Sequence, residues 1–279
     1  MPGTILRAAL LILPAAILLY AQAEFRWPNG ARAAVALTYD DGVDAHLDNA
    51  MPDLEARKFR GTFYLHGSSR SLARRMEDWR AAARRGHELG NHSISHPCLR
   101  VNVKGRERTF VTPERNLDNY TLRRISDELA ANNTLLQAVD GRQARTYAYT
   151  CSDTTAGGEP YIEVLRPLFP AARGGEDEVI VGDLRALDLH HVTSWMVAKV
   201  TGDSMIAFVN KAVDAGGMAV IMFHGVGGGH GINVDREAHQ KLLAWLDQNR
   251  KLVWTDTFLN VTQHIAAERQ RLGWKNPRP

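Results

Sequence analysis

The chain has 279 residues, of which 44% are hydrophobic and 23% are charged, and its formal net charge is +3. This composition is that of a globular protein and excludes a disordered chain, which would need fewer apolar residues and more net charge. The charge is also too small to mark a nucleic-acid-binding surface, which needs a clustered basic face. The length allows one domain of barrel size or two small domains.

The first 23 residues have the pattern of an export signal. Arg7 precedes an uncharged apolar run over residues 8–20, and Ala21-Gln22-Ala23 has the small-x-small pattern of a cleavage site. The run is shorter than the roughly 20 apolar residues of a membrane span. We therefore expect a signal peptide over residues 1–23 and one exported domain over 24–279, periplasmic or secreted, with no stable membrane span after cleavage. An uncleaved N-terminal anchor is the alternative.

Short strands and longer helices alternate along the rest of the chain. Apolar, β-branched and aromatic runs predict strands at residues 33–37, 61–65, 87–89, 146–150, 171–173, 219–223 and 252–254. Helical spacing of apolar residues predicts helices at 44–57, 71–85, 119–139, 160–168, 205–215, 236–249 and 256–268. Ser71 is the expected N-cap and Gly86 the expected end of the second helix. This alternation predicts parallel β/α units.

Acidic and histidine residues follow the carboxyl ends of three predicted strands. Asp40-Asp41 follow the first, residues 92–96 follow the third, and His224 follows the strand at 219–223. In β/α barrels this face carries the active site. The pattern therefore predicts that these side chains share one site.

His92, His96 and the aspartate pair indicate a metal site only in combination. Alone, the two histidines are compatible with exposed positions on a turn before Pro97, and the aspartates with a solvated bend. Together, Asp41, His92 and His96 offer three ligands, the number found at catalytic divalent sites rather than at structural ones. Imidazole and carboxylate ligands suit zinc, and also cobalt, nickel or iron.

The neighbouring groups predict acid–base chemistry at such a metal. Asp40 diverges from Asp41 and is placed to take a proton from metal-bound water. His224 could then protonate the leaving group.

Three of these segments resemble, in order, the motifs of the polysaccharide deacetylases, the NodB-like carbohydrate esterase family 4. Residues 38–42 (TYDDG) resemble T-F-D-D-G, residues 92–96 (HSISH) resemble H-[ST]-x-x-H, and residues 222–224 (MFH) resemble an apolar strand ending in L-H. The similarity runs from about residue 32 to residue 266. The resemblance implies a distorted, incomplete parallel β/α barrel. It also implies a metal-dependent hydrolase that removes acetyl groups from N- or O-acetylated oligo- or polysaccharide by metal-activated water, with Asp40 as base, Asp41, His92 and His96 as metal ligands and His224 as acid.

The family's third motif, roughly R-x-P-[YF], is not preserved. Ala148 stands at the arginine position and Thr150 at the proline position. Arg173, at the end of the strand at 171–173, is the candidate that orients Asp40, and a surface arginine is the alternative. The resemblance places one oxyanion donor at the backbone N–H near Cys151, a role that survives side-chain change.

The two cysteines lie beside the second and third motifs. Cys98 is two residues past His96, and Cys151 is in the third-motif segment. If the motifs converge, we expect a Cys98–Cys151 disulfide, which requires Cα atoms less than about 7 Å apart. Two free buried thiols are the alternative.

Two other functions remain open at this point. Because the third motif is eroded, the chain could be a catalytically weak member that binds carbohydrate or metal without turnover. It could also be a related amidase acting on a small cyclic amide. His230, in a glycine-rich stretch after His224, is expected at an exposed loop position, and the same interpretation applies to His46.

Overall fold

The computed structural model describes residues 24–175 and 177–275, and within them each of the seven predicted strands and seven predicted helices has a counterpart, with five further strands of two residues each. The strands are β1 (Ala33–Tyr39), β2 (Thr62–Leu65), β3 (Glu88–Asn91), β4 (Tyr147–Ala148), β5 (Thr155–Ala156), β6 (Glu159–Pro160), β7 (Ala172–Arg173), β8 (Trp195–Met196), β9 (Met218–Phe223), β10 (Gly225–Val226), β11 (Asn233–Val234) and β12 (Val253–Asp256). The α-helices are α1 (Met51–Ala56), α2 (Arg70–Arg74), α3 (Met76–Arg84), α4 (Leu122–Asp140), α5 (Ile162–Leu165), α6 (Gly202–Ala215), α7 (Arg236–Gln248) and α8 (Phe258–Arg271).

One curled parallel sheet holds the molecule together. Its strand order is β7-β4-β3-β2-β1-β9-β8, and β12 also pairs with the first half of β1. The end strands β7 and β8 are not paired with each other in the described residues, although Arg173 of β7 forms a bridge with Val192, just before β8. The fold is therefore the distorted, incomplete parallel β/α barrel that the sequence predicts.

The central strand β1 is buried on both faces, which is why its sequence is continuously apolar. Its odd-numbered residues, including Leu37, pack in a core with side chains of α3 and α6 such as Trp79 and Phe208. Its even-numbered residues, including Ala36, pack in a second core with Tyr64 and with residues of α8. Asp40 continues this even-numbered series, so the strand aims it at the inside of the barrel.

Three predicted helices differ from the observed ones. The helix predicted at 44–57 is observed as a π-helical turn, His46–Ala50, followed by α1. The helix predicted at 71–85 is broken at Arg75, and its N-cap is Ser69 rather than Ser71, because Ser69 Oγ accepts from the N–H of Leu72 at 3.2 Å. The helix predicted at 160–168 is reduced to α5, which ends before Pro167, a residue that a helix interior does not tolerate.

The signal segment expected over residues 1–23 lies outside the described residues. Among the helices that the structure describes, none combines the length and the apolar character needed to cross a membrane.

Candidate active site

Asp40 and Asp41 lie at the carboxyl edge of the sheet, directly after β1. The N–H of Asp40 still donates to the carbonyl of Phe223 at 2.9 Å, as if the strand continued, whereas Asp41 turns away with φ 75°. Gly42 follows with φ 57°, and a Cβ at that position would lie 2.6 Å from Cδ2 of Leu65. This backbone conformation favours glycine, because a side chain at residue 42 would be strained and would crowd Leu65.

A tight turn after β3 carries the two histidines of the second motif. Oδ1 of Asn91 accepts from the N–H of Ser93 at 2.8 Å, and Ser93 Oγ accepts from the N–H of His96 at 3.0 Å. Ser93 and His96 have φ values of 61° and 56°, so the segment is a turn and not a helix, as Pro97 predicts. The turn brings both imidazoles to the same side.

Asp41, His92 and His96 meet at this edge. Oδ1 of Asp41 lies 3.5 Å from Nε2 of His92 and 3.1 Å from Nε2 of His96, and the ligand atoms lie within 4.8 Å of one another. His92 Nδ1 donates to the carbonyl of Ala148 at 2.9 Å. That bond orients the ring and leaves Nε2 facing Asp41, an arrangement that is also usual for metal-binding histidines.

The electrostatics of this triad fit a divalent cation. Burial raises the pKa of Asp41, but the imidazoles of His92 and His96 outweigh it and hold the pKa well below its usual value. Burial lowers the pKa of His92, but the two aspartates outweigh it and the pKa is raised. Oδ1 of Asp41 is buried and has no well-directed hydrogen bond within the described residues. An ionised carboxylate with an unsatisfied oxygen beside two imidazoles is the donor set of a catalytic divalent site.

Arg173 lies against Asp40 in the barrel interior. Its Nη2 donates to Oδ2 of Asp40 at 2.5 Å, and its Nη1 donates to Ser194 Oγ at 3.1 Å. Both members of the ion pair are almost fully buried, at 1% exposure for Arg173 and 3% for Asp40. In the pairing of β4 with β7, Arg173 is the register partner of Ala148, the residue at the arginine position of the third motif.

His224 approaches the triad from the opposite side, where β9 ends. Its Nε2 lies 3.9 Å from Oδ2 of Asp41, and its Nδ1 is buried with no hydrogen-bond partner in the part of the chain that the structure describes. Burial lowers the pKa of His224, partly offset by Asp40 and Asp41. His46 is not an exposed residue as expected, because it is fully buried and donates to the carbonyl of His224 at 2.6 Å. Burial lowers the pKa of His46 to about 4.

His230 lies beside the triad rather than at the exposed loop position that the sequence favours for it. Its Nε2 lies 3.5 Å from Oδ2 of Asp41, and its ring is stacked on that of His224 with centroids 5.0 Å apart. The glycine-rich segment returns the chain to the site because β11 pairs with β10, immediately after His224. The pattern of glycines between two histidines was the signal available in the sequence.

A disulfide joins the second and third motifs. Cys98 and Cys151 are bonded, with Cα atoms 5.7 Å apart, which is the pairing expected from the convergence of the motifs. The backbone of Cys151 has φ 54°, and Cys151 lines the same cavity as Asp40.

Left-handed backbone conformations are concentrated at this site. Eight described residues other than glycine have positive φ, and five of them belong to the segments just described: Asp41, Ser93, His96, Cys151 and Ser152. Such conformations cost free energy and cluster where a structure holds functional groups in place.

The site opens into a groove made of two adjoining cavities. One has a volume of about 540 Å³ and contains the side chains of Asp40, His92 and His224. The other has a volume of about 580 Å³ and extends past His66. They share Asp41, His96, Phe110 and His230. A larger cavity of about 860 Å³ lies at the other end of the strands, near Trp27, and contains none of the predicted site residues.

Fold and site together define a parallel β/α-barrel protein with a carboxylate–imidazole centre at the carboxyl edge of its sheet. The model of the polysaccharide deacetylase family matches residues 27–157, the stretch that contains Asp40, Asp41, His92 and His96. Among proteins of curated function, none matches the sequence.

Three solved structures share the fold. A candidate polysaccharide deacetylase from Mycobacterium smegmatis is 18% identical with a TM-score of 0.63, over 91% of this chain and 95% of that one. The Xyl-CE4 domain of a multidomain xylanase, from the hindgut metagenome of Trinervitermes trinervoides, is 15% identical with a TM-score of 0.54, over 89% and 94%. A mutant of BA3943, a CE4 family pseudoenzyme of Bacillus anthracis, is 15% identical with a TM-score of 0.52, over 82% and 67%.

Proposed function

We propose that this protein is an exported, metal-dependent hydrolase that removes acetyl groups from N- or O-acetylated carbohydrate. The observation that carries the proposal is the meeting of Asp41 with His92 and His96, 3.5 and 3.1 Å away respectively, beside an Asp40 that is hydrogen-bonded to Arg173. The disulfide supports export, because such bonds persist in oxidising compartments.

The metal would be held by Oδ1 of Asp41 and by Nε2 of His92 and His96, and zinc suits this ligand set best. When bound, a divalent cation polarises the acetyl carbonyl and lowers the pKa of water.

The protein's own groups account for the remaining steps. Asp40, oriented by Arg173, accepts the proton of the attacking water, and its free Oδ1 is the oxygen available for it. The backbone N–H at Cys151 is the candidate donor to the oxygen of the tetrahedral intermediate. His224 gives a proton to the departing amine or hydroxyl, and its lowered pKa makes its protonated form a better acid.

The shape of the groove favours a polymer over a small cyclic amide as substrate. Two cavities of about 540 and 580 Å³ extend in different directions from Asp41 and His96, so a chain could pass across the site. A closed pocket of small-molecule size would support the amidase alternative instead.

Acetate release is the direct test. Purified protein loaded with zinc or cobalt is incubated with acetylated chito-oligosaccharide, peptidoglycan and acetylated xylan, and free acetate is measured. We expect release that a chelator abolishes and that Asp40→Asn lowers by roughly 10²- to 10⁴-fold. The control is Asp214→Asn, an exposed aspartate of α6 outside the groove.

The result also separates the enzyme from the binding-only alternative. That alternative derives support from Ala148 and Thr150 at the third motif. Metal binding of normal affinity without acetate from any substrate would favour the binding protein and contradict the proposed hydrolase.

A further inference from the structure

Three arginines of the groove have no carboxylate partner among the described residues. They are Arg70, Arg106 and Arg115, and all three are exposed. Two other arginines of the same groove are paired, Arg74 with Asp44 and Arg108 with Asp153. The groove therefore carries three guanidinium groups that no carboxylate of residues 24–175 and 177–275 neutralises.

These charges lie in both cavities of the groove. Arg106 lines the cavity that contains Asp40, and Arg70 and Arg115 line the adjoining cavity past His66. Since the two cavities share Asp41, a polymer crossing the site would pass guanidinium groups on either side of the reacting acetyl group.

The loop that presents Arg106 and Arg115 is anchored. Arg108 donates to the carbonyl of Cys151 at 3.0 Å as well as to Asp153, and the Cys98–Cys151 disulfide ties the start of the loop to the same segment. The carbonyl of Arg115 accepts from the N–H of Cys98 at 3.0 Å. The backbone therefore fixes where the two free guanidinium groups can reach.

An exposed aromatic ring lies where the two cavities of the groove meet. Phe110 is 66% exposed and lines both cavities. A large apolar side chain left in contact with water in a groove marks a ligand-contacting surface. Its flat face offers apolar contact to a sugar ring while the arginines offer charge.

We infer that the substrate is an acidic glycan whose sugars carry carboxylates next to the acetylated unit. This rests on the proposed function and narrows its substrate class. The guanidinium fork matches a carboxylate with two parallel hydrogen bonds, and unpaired positive charge along a cleft raises the local concentration of an anionic chain. A neutral glycan would use neither property.

The test compares substrates that differ in charge while the acetyl linkage is matched. The N-acetyl pair is chito-oligosaccharide, which is neutral, and peptidoglycan glycan strands freed of peptide, which carry the muramic acid carboxylate. The O-acetyl pair is acetylated xylo-oligosaccharide, which is neutral, and acetylated oligogalacturonate, which is acidic. We expect a higher kcat/KM for the acidic member of the accepted pair, and a preference that added salt reduces because it screens exposed charges.

Variants assign the preference to the arginines. The triple substitution Arg70→Gln, Arg106→Gln and Arg115→Gln should lower the acidic-to-neutral ratio of kcat/KM roughly tenfold or more, since each charge-assisted contact contributes on that scale. Arg84→Gln, at an exposed arginine of α3 outside the groove, is the matched control and should leave the ratio as in the wild type. An equal ratio in the triple variant and the wild type would overturn the inference.

Failure of the inference differs from failure of the proposed hydrolase. Acetate released equally from acidic and neutral members overturns the acidic substrate and leaves the hydrolase standing. If no substrate yields acetate, calorimetric titration with unacetylated oligogalacturonate and xylo-oligosaccharide still decides. Binding of the acidic oligomer alone, lost in the triple variant, supports the inference, and binding of neither or of both equally contradicts it.

Discussion

The two halves of the site follow the family motifs to different degrees. In one half, Asp40, Asp41, His92 and His96 stand where the first and second motifs put them. In the other half, the arginine position of the third motif holds Ala148, and the guanidinium group that contacts Asp40 belongs to Arg173. Ala148 and Arg173 are register partners on neighbouring parallel strands.

This comparison shows that the same guanidinium position can be reached by an arginine on either of two neighbouring strands. Register partners on parallel strands point to the same face and lie about 5 Å apart, well within the reach of an arginine side chain. The small side chain of Ala148 leaves the interior free for the guanidinium, which also lies over the ring of Tyr64 with 5.1 Å between Cζ and the ring centroid. The proposed metal ligands would have no such freedom, because a coordination sphere is fixed by several short bonds.

The largest predicted effect concerns the half of the site that follows the motifs, and it is a loss of zinc affinity. Asp41→Asn removes the charged ligand, so we expect zinc affinity to fall by more than the roughly 10- to 100-fold that loss of an outer partner costs. Isothermal titration with zinc measures it, and Asp214→Asn is the control. Wild-type zinc affinity in Asp41→Asn would contradict the ligand assignment.

The next largest effect should come from removing the disulfide that joins the two halves of the site. The disulfide closes a loop between Cys98 and Cys151, a separation of 53 residues, and its removal should lower the free energy of unfolding by about 2–4 kcal/mol. Urea unfolding of Cys98→Ser and of Cys151→Ser measures the loss, and the two variants should agree. Zinc affinity should change less than acetate release, because His92 is oriented by Ala148 rather than by the disulfide. An equal loss of both would show that the halves are not separable.

Moving the arginine tests the second half directly. Arg173→Ala should lower kcat roughly 10- to 100-fold, as loss of an orienting partner does, while zinc affinity changes little. The double variant Ala148→Arg, Arg173→Ala should recover much of the lost kcat. The matched control is Arg145→Ala, which breaks another buried ion pair, with Asp140 at 3.1 Å, and should lower stability but not kcat. Failure of the double variant to recover would mean that the two strands are not equivalent.

The sequence predicts this fold and most of this site because strong local patterns specify them. A buried parallel strand such as β1 needs continuous apolar residues, and the polar residues that follow its carboxyl end are visible in the sequence. The bend at Gly42 and the turn before Pro97 are also encoded locally. These features depend on neighbours in the chain.

The features that the sequence does not predict depend on contacts between residues that are far apart in the chain. His230 reaches Asp41 only because β11 pairs with β10, and neither two-residue strand has a pattern of its own. The split of the predicted 71–85 helix depends on Ser69, whose hydroxyl also donates to the carbonyl of Gly42 at 2.8 Å. Long-range contacts of this kind override local propensity.

The smallest predicted effect concerns the opposite end of β3 from His92. His87 Nδ1 accepts from the N–H of Gly61 at 3.1 Å, and its Nε2 donates to Oε1 of Glu55 at 3.1 Å, so the folded protein holds a neutral ring. Burial lowers the pKa of His87 to about 4, with Glu55 partly opposing it. The unfolded chain therefore takes up a proton as the pH falls through about 6.5 while the folded protein does not, which favours unfolding. Between pH 6.5 and 5.5 the free energy of unfolding should fall by about 1 kcal/mol more in the wild type than in His87→Gln. Urea unfolding at the two pH values measures the difference, and Phe59→Leu, a core substitution that removes no titrating group, should keep the wild-type pH dependence. An unchanged pH dependence in His87→Gln would contradict this account, because the loss of stability at lower pH would then not come from His87.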